Sequence, residues 1–284
     1  MTDTQFLSRR ERFASVGSTN DIVRAWLEAG TPEVCVVIAD VQTAGRGREG
    51  RSWTAPPGAG LLASLGFRPS WLTPDRAWRL AAITALAMAE AAERAAGLAD
   101  GTIRLKWPND LVVETGTAGK LGGLLGETIG LGTDDPRAII GIGVNADWQR
   151  ADFPPVLAQS MTSLREIAAG RPIDPGVVLE AFLARLETHT TALRAGRFDV
   201  DGWVARQVTT DRTVRLEGPD GRSSDVRALG VDPEGGGLIV DDPAAAAGRR
   251  TVLTGEIVHL RLADQPATAR SPVDEPPIVA SAGV

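Results

Sequence analysis

The sequence contains no tyrosine, one cysteine and two histidines. The lack of tyrosine removes phenolic acid–base chemistry. A single cysteine, Cys35, excludes an internal disulfide, and its place in an apolar run fits a thiol kept in a reducing compartment. His189 and His259 are far apart in the chain, and no Cys/His cluster has metal-ligand spacing, so both read as structural or surface residues. No apolar stretch nears the ~18–20 residues that span a bilayer. The N-terminus, MTDTQFLSRRER, has no apolar segment of the signal-peptide kind, and the chain is expected in the cytoplasm without a membrane partner. A net charge of −6 argues against a surface that is basic throughout. Any anion site must be a local cluster of cations.

What is present is ordinary globular composition in 284 residues, enough to bury roughly three-quarters of the unfolded surface in one large domain, or in one with a small second. Residues 18–29 read as a helix that Ser18 or Thr19 can cap, and 33–41 as a buried strand. Residues 61–67 alternate as a strand. A long helix is expected from Thr73-Pro74 to Gly97. Strands follow around 103–107, in a hairpin of 110–114 with 120–129 about a Thr/Gly turn, and at 138–147. Ser163 and Glu166 have capping-box spacing, and Asp174-Pro175 opens a helix to about 195. From about 205 to 264 the pattern changes to short strands and turns, a small all-β module. Residues 265–284 are Pro- and Ala-rich without periodicity and read as a disordered tail. The body lacks regular β-α-β alternation. The fold class is α+β: a mixed sheet with helices over 1–204, with a small β-barrel appended.

Residues 44–58 form a loop with four glycines, three arginines and two prolines. Arg46, Arg48 and Arg51 alternate there with Gly45, Gly47 and Gly50, against the single acid Glu49. Glycine lets backbone approach a ligand, and the guanidinium fork matches phosphate and carboxylate. A solvated loop that binds nothing is the plain alternative. GRGREG spells a dinucleotide fingerprint, yet Arg51-Ser52-Trp53-Thr54-Ala55-Pro56-Pro57 cannot open the helix it requires. Gly116 to Lys120 is no P-loop either, because Leu121 stands where a hydroxyl must hold magnesium. In KWPND (106–110), Pro108 forces a bend or an edge between two strands; a plain turn would also satisfy it. KLGGLLGE (120–127) is a strand whose glycines suggest close approach of a ligand or of another backbone.

In this order and spacing, Ser18-Thr19-Asn20, Gln42 with GRGREGRSW, KWPND, KLGGLLGE and GIGVN (141–145) resemble the biotin–protein ligase family. The resemblance spans about residues 12–262. It implies a fold akin to class II aminoacyl-tRNA synthetases and an SH3-like C-terminal barrel. It also implies activation of biotin by ATP to biotinyl-5'-AMP, followed by transfer to a lysine of a biotin carboxyl carrier domain of an acyl-CoA carboxylase. Biotin would then meet Ser18, Thr19, Asn20, Gln42, Arg46, Gly47, Arg48, Lys120 and Gly123; ATP would meet Arg51, Trp53, Lys106, Asn109 and Asn145. Arg48, Lys120 and Asp110 would be catalytic, with Mg²⁺ carried mainly by ATP and Asp110 as its one protein contact or as the base for lysine transfer. Only about 17 residues precede the first motif, too few for the helix-turn-helix of some relatives, so no DNA partner is expected. A lipoate or octanoate ligase of the same fold, or a non-catalytic binder of anions or nucleic acid, are the alternatives. The implied chemistry explains the cations. A carboxylate must approach a polyanion, and two like charges 4 Å apart repel by about 4 kcal/mol at an effective dielectric near 20. Several guanidinium and ammonium groups offset that repulsion, and a glycine loop that closes over the mixed anhydride keeps water out.

Overall fold

A computed structural model describes residues 6–115, 117–217, 223–245, 247–253 and 259–262. Seven strands build the main sheet: β1 (Arg9–Val16), β2 (Cys35–Gln42), β3 (Gly60–Phe67), β4 (Ile103–Lys106), β5 (Asp110–Thr115), β6 (Thr117–Ile129) and β7 (Arg137–Asn145). Their order is β1-β2-β3-β7-β6-β5-β4. β1 and β2 run parallel and every other neighbour is antiparallel, so the sheet is mixed, as expected. The expectations did not include β1. Its sequence, RRERFASV, carries four charged residues, which offset its propensity; its backbone pairs with β2 from Arg9 to Val16.

The two faces of the sheet differ because side chains alternate along each strand. On one face Val36, Ile38, Leu61, Ala63, Leu65, Phe67, Ile140, Ile142 and Val144 form the large core beneath α2 (Trp78–Ala96) and α5 (Pro175–Arg194). On the other, α1 (Thr19–Glu28) lays Val23, Trp26 and Leu27 on Cys35, Val37 and Ile139. Gly66 makes that approach possible, since a Cβ there would stand 2.6 Å from Cys35 Sγ and 2.8 Å from Val23 Cγ1. Burial pushes the Cys35 thiol up to about 11.

The ends of the helices correct several readings. Ser18 holds the N-cap position of α1 without a side-chain cap bond, because Gln42 Oε1 instead accepts the Thr19 amide at 2.8 Å. Pro74 opens a separate 3₁₀ turn, Pro74–Arg76, and α2 begins only at Trp78, with Thr73 making no side-chain cap. Gly97 does end α2, at φ +62°. Ser163 accepts the Glu166 amide at the start of α4 (Leu164–Ile167), and Asp174 accepts that of Gly176 before α5. Thr115 and Thr117 pair at the end of the β5–β6 ladder, and Gly116 of the expected turn lies outside the described residues. No helix among the described residues is long and apolar enough to cross a membrane.

After α6 (Val200–Ala205), the chain straps along β4, with Leu105 N–H donating to Arg206 O and Val208 N–H to Leu105 O. It then enters an antiparallel sheet of β8 (Arg212–Glu217), β9 (Ser223–Val231), β10 (Leu238–Asp241), β11 (Arg249–Val252) and β12 (His259–Leu262), ordered β11-β10-β9-β8-β12. Among the described residues no pairing joins β11 to β12, the two ends of that order. The tail expected over 265–284 lies outside the described residues, as does the side chain of His259. His189 is structural, its Nε2 3.1 Å from Glu90 Oε1 across α5 and α2.

A buried ion pair fastens this joint. Arg206 donates to both Glu93 oxygens at 2.8 and 2.9 Å and to Ile103 O at 2.7 Å, while Glu93 also accepts the Ile103 amide. Glu93 is 1% exposed, and its hydrogen bonds hold the Arg206 guanidinium more firmly protonated than usual. Arg206→Met leaves that carboxylate buried and unpaired, and should cost about 3–5 kcal/mol in urea unfolding. Adding Glu93→Gln should recover much of the loss.

Candidate active site

The face of the sheet beyond α1 is nearly bare. In register, Ser64 of β3 stands opposite Gly141 of β7, Gly143 stands opposite Gly123 of β6, and Gly123 stands opposite Asp110 of β5. Residues directly opposite one another share a face, so one row of small residues crosses three strands and ends at Asp110 on the fourth. Side chains from elsewhere lie flat on it. A Cβ at Gly141 would overlap the Asn20 amide, and one at Gly143 would overlap the Trp53 indole. A Cβ at Gly123 would stand 3.3 Å from Asp110 Oδ1 and 3.4 Å from Lys120 Nζ. Gly122 points to the other side, where a Cβ would meet the β7 backbone 2.5 Å away. Close approach of another backbone is therefore realised at Gly122, while side chains of Asp110 and Lys120 take the space beside Gly123.

At one end of the row lies an uncharged polar pocket. Ser64 donates to Asn20 Oδ1 at 2.5 Å and sits 2.6 Å from Thr19 Oγ1. The Thr19 hydroxyl donates to Gln42 Oε1 at 3.0 Å, and Asn20 Nδ2 to Glu127 Oε1 at 3.1 Å. Ser18, Thr19, Asn20 and Ser64 are all buried. The motif places Ser18, Thr19 and Asn20 on the first turn of α1 because that helix starts where β2 ends beside it. Ser64 was not among the expected residues, although it is the lone hydroxyl in the apolar run LLASLGF.

At the other end lies a charged strip. Lys120 Nζ is 2.7 Å from Asp110 Oδ1 and 5.7 Å from the centre of the Trp53 ring. The register shifts between Leu111 and Val112, so that Lys120 rather than Leu121 stands opposite Val112. Asn109 is clamped to β6, its amide and carbonyl bonding Leu124 at 2.7 and 2.9 Å, and Arg48 donates to Asn109 Oδ1 at 3.4 Å. Lys106 is the register partner of Asp110. Arg48 and Lys120 thus address the same surface. KWPND is the turn between β4 and β5, as its proline suggested, with a cis Trp107–Pro108 bond.

The Gly/Arg loop is folded back on itself: Trp53 N–H donates to Gly45 O, and Gly47 N–H to Arg51 O. Gly45 must be glycine, since a Cβ would overlap the Trp53 carbonyl; Gly47 is less crowded, with 3.4 Å to Arg51 O. Arg46 turns toward α1, donating to both Asp21 oxygens at 2.9 and 2.6 Å and reaching Glu127 at 3.5 Å. That guanidinium holds the Asp21 carboxyl below its ordinary range. Glu127 also pairs with Arg24. Asp21 and Glu127 were not expected here; Glu127 lies in the glycine-strand motif, but only the fold shows that it faces Arg46. Two expected residues stand apart from the strip. Arg51 is exposed, and its Nε donates to Arg48 O. Asn145 is buried and donates to Thr162 O at 3.0 Å, tying β7 to the segment that also brackets Lys120. Trp53 Nε1 is buried without a hydrogen-bond partner. Among the described residues no group of three or more His, Cys, Asp and Glu side chains could hold a metal ion.

A hydrogen-bonding pocket that carries no charge of its own, adjoining a cationic strip, can hold a neutral polar head and an anionic tail together. The chain is similar to known proteins in sequence and fold. Residues 13–145 match the model of the biotin/lipoate A/B protein ligase family. The biotin–[acetyl-CoA-carboxylase] ligase of Mycobacterium tuberculosis is 31% identical over 253 residues, 87% of this chain and 88% of that protein. That of Paracoccus denitrificans is 30% identical, over 78% of this chain and 88% of its own length. A solved structure, the biotin protein ligase of Aquifex aeolicus in complex with biotin and ATP, superposes with a TM-score of 0.71 at 26% identity, covering 89% of this chain and 99% of that one. On sequence, length and fold together, the chain belongs to the biotin/lipoate A/B protein ligase family.

Proposed function

We propose that the chain is a biotin–protein ligase that activates biotin with ATP and transfers it to one lysine of a biotin carboxyl carrier domain of an acyl-CoA carboxylase. The observation that supports this most is the convergence of Arg48, Asn109, Asp110, Lys120 and Gly123 on one glycine-floored surface, beside the pocket of Ser18, Thr19, Asn20 and Gln42. Ser64 joins that pocket in this reading. We also place the main sheet among class II aminoacyl-tRNA synthetase-like folds, the five C-terminal strands in an SH3-like barrel with a boundary near 205, and the enzyme in the cytoplasm.

In the first step a biotin carboxylate oxygen bonds to the α-phosphorus of ATP and pyrophosphate leaves with the electron pair of the broken P–O bond. The ureido head presents both donors and acceptors, which hydroxyl and amide side chains match without charge. Ser18, Thr19, Asn20, Gln42 and Ser64 would hold it. Arg46, Gly47 and Arg48 would close over the biotin from the loop, and Lys120, above Gly123, would meet the carboxylate. Lys106, Asn109, Arg51 and Trp53 would take the nucleotide, and Asn145 would support that end of β7. Because the resting cations are already paired, Arg46 with Asp21 and Lys120 with Asp110, a bound anion would exchange one partner for another rather than meet bare charges. Among the described residues no cluster of acids could cage a magnesium ion, which fits an ion brought by the phosphates of ATP, with Asp110 beside it at most as an auxiliary contact. Bound there, it would draw charge from the phosphoryl oxygens.

In the second step the carrier amine attacks the biotinyl carbonyl carbon, the acyl–phosphate bond breaks and AMP leaves. A lysine of ordinary pKa near 10.4 costs about 4 kcal/mol to deprotonate at pH 7.4. In this reading Asp110 would accept that proton.

Mass spectrometry of a carrier domain incubated with the chain, biotin, ATP and Mg²⁺ should show the addition of one biotinyl group; addition from lipoate instead would reassign the substrate within the family. Asp110→Asn should leave biotin-dependent ATP–pyrophosphate exchange near wild type and slow transfer by roughly 10²–10⁴-fold; equal losses in both reactions would remove Asp110 from the base role. Ser64→Ala should raise KM for biotin about 5–30-fold with little change in kcat, since it removes one or two hydrogen bonds of about 1 kcal/mol each.

A further inference from the structure

Trp107 is buried at the root of the 107–110 turn, yet its hydrogen bond leaves the main sheet. Its Nε1 donates to Gly236 O at 2.8 Å, on the Asp232–Gly237 turn between β9 and β10. That turn is closed by its own bonds, Gly236 N–H to Asp232 O and Asp232 N–H to Gly237 O. A second indole is seated there. Trp78 Nε1 donates to Glu234 O at 3.1 Å, and Trp78 packs with Trp203 and Phe198 at 4.9 and 5.4 Å between ring centres. Buried Arg79 reaches Glu234 Oε2 at 3.4 Å. Gly236 fits because it has no side chain: its φ is +73°, and a Cβ would stand 2.5 Å from the Trp78 ring.

We propose that the Asp232–Gly237 turn is a positioning element of the active site, acting through Trp107 on Asn109 and Asp110. The geometry leaves that path open. Lys106 and Asp110 close the β4–β5 ladder, so residues 107–109 stand outside it. Asn109 fixes the segment to β6 on one side, and the Trp107 indole fixes it to the C-terminal sheet on the other. Asn109 meets Arg48, and Asp110 meets Lys120. A shift of the Gly236 carbonyl therefore reaches the cationic strip through two residues. The uncharged pocket of Thr19, Asn20, Gln42 and Ser64 is built on α1, β2 and β3 and has no bond to this turn. The inference rests on the proposed roles of Asn109 and Asp110.

The test uses the full chain in three variants. Trp107→Phe removes the indole donor, Gly236→Ala wedges the turn away from Trp78, and Val240→Ala opens a cavity in buried β10, away from the turn. Biotin-dependent ATP–pyrophosphate exchange is measured per folded molecule, with thermal midpoints alongside. Trp107→Phe and Gly236→Ala should lower kcat about 10–100-fold, the scale of a misplacement near 1 Å, with KM for biotin unchanged. Val240→Ala should lower the midpoint with kcat intact. If both turn variants behave like Val240→Ala, or if KM for biotin rises in step with the loss of kcat, the positioning role is overturned. Should Trp107→Phe fail to fold, Gly236→Ala carries the same comparison. Absence of exchange in the unaltered chain would instead overturn the ligase reading.

Discussion

Strands β6 and β7 meet with glycine opposite glycine, at Gly123 and Gly143, and everything chemical about the molecule is arranged on the surface this leaves. A sheet face normally carries side chains that stand away from the backbone. Here that space is given to Asn20, Trp53 and Asp110 from other elements and to Lys120 from β6 itself. Glycine weakens a strand by roughly 0.5–1 kcal/mol per residue relative to alanine. The opposite face offsets that cost, since Ile140, Ile142 and Val144 of the same strand are buried under α2 and α5. One strand therefore serves as core on one side and as site floor on the other.

The same economy governs charge. The chain is acidic overall, and the cations of the candidate site are held locally by acids beside them: Asp21 and Glu127 for Arg46, Asp110 for Lys120. These pairs keep the cations oriented while no anion is present. They also link segments distant in sequence, since Glu127 of β6 bonds Asn20 and Arg24 of α1 as well as Arg46 of the loop. The polar pocket and the glycine/arginine loop are thus joined through the Glu127 carboxylate.

Much of this was readable in one dimension. The capping bonds of Ser163 and Asp174 and the end of α2 at Gly97 follow from local chemistry: a hydroxyl or carboxylate that can accept an amide hydrogen, and a residue free to take positive φ. The glycine/arginine segment was legible as a loop, and KWPND as a break between two strands, from residue type alone. Strand β1 escaped because its stability comes from pairing with β2 rather than from its own composition. The cap of α1 was misread because the acceptor that serves it, Gln42, is 23 residues away from Thr19.

What the sequence by itself determined, then, is which residue types were available and where the backbone must turn, cap or lie flat, because those depend on covalent geometry and on neighbours within a few positions. Tertiary structure alone decided which of those residues face one another. Alternation puts Gly141 and Gly143 on one face of β7, but only strand register sets Ser64 against one and Gly123 against the other. Only the fold brings Glu127 to Arg46 and the Gly236 carbonyl to Trp107. Hydrogen bonds and ion pairs act over a few ångströms, and no local pattern encodes which distant groups come within that reach.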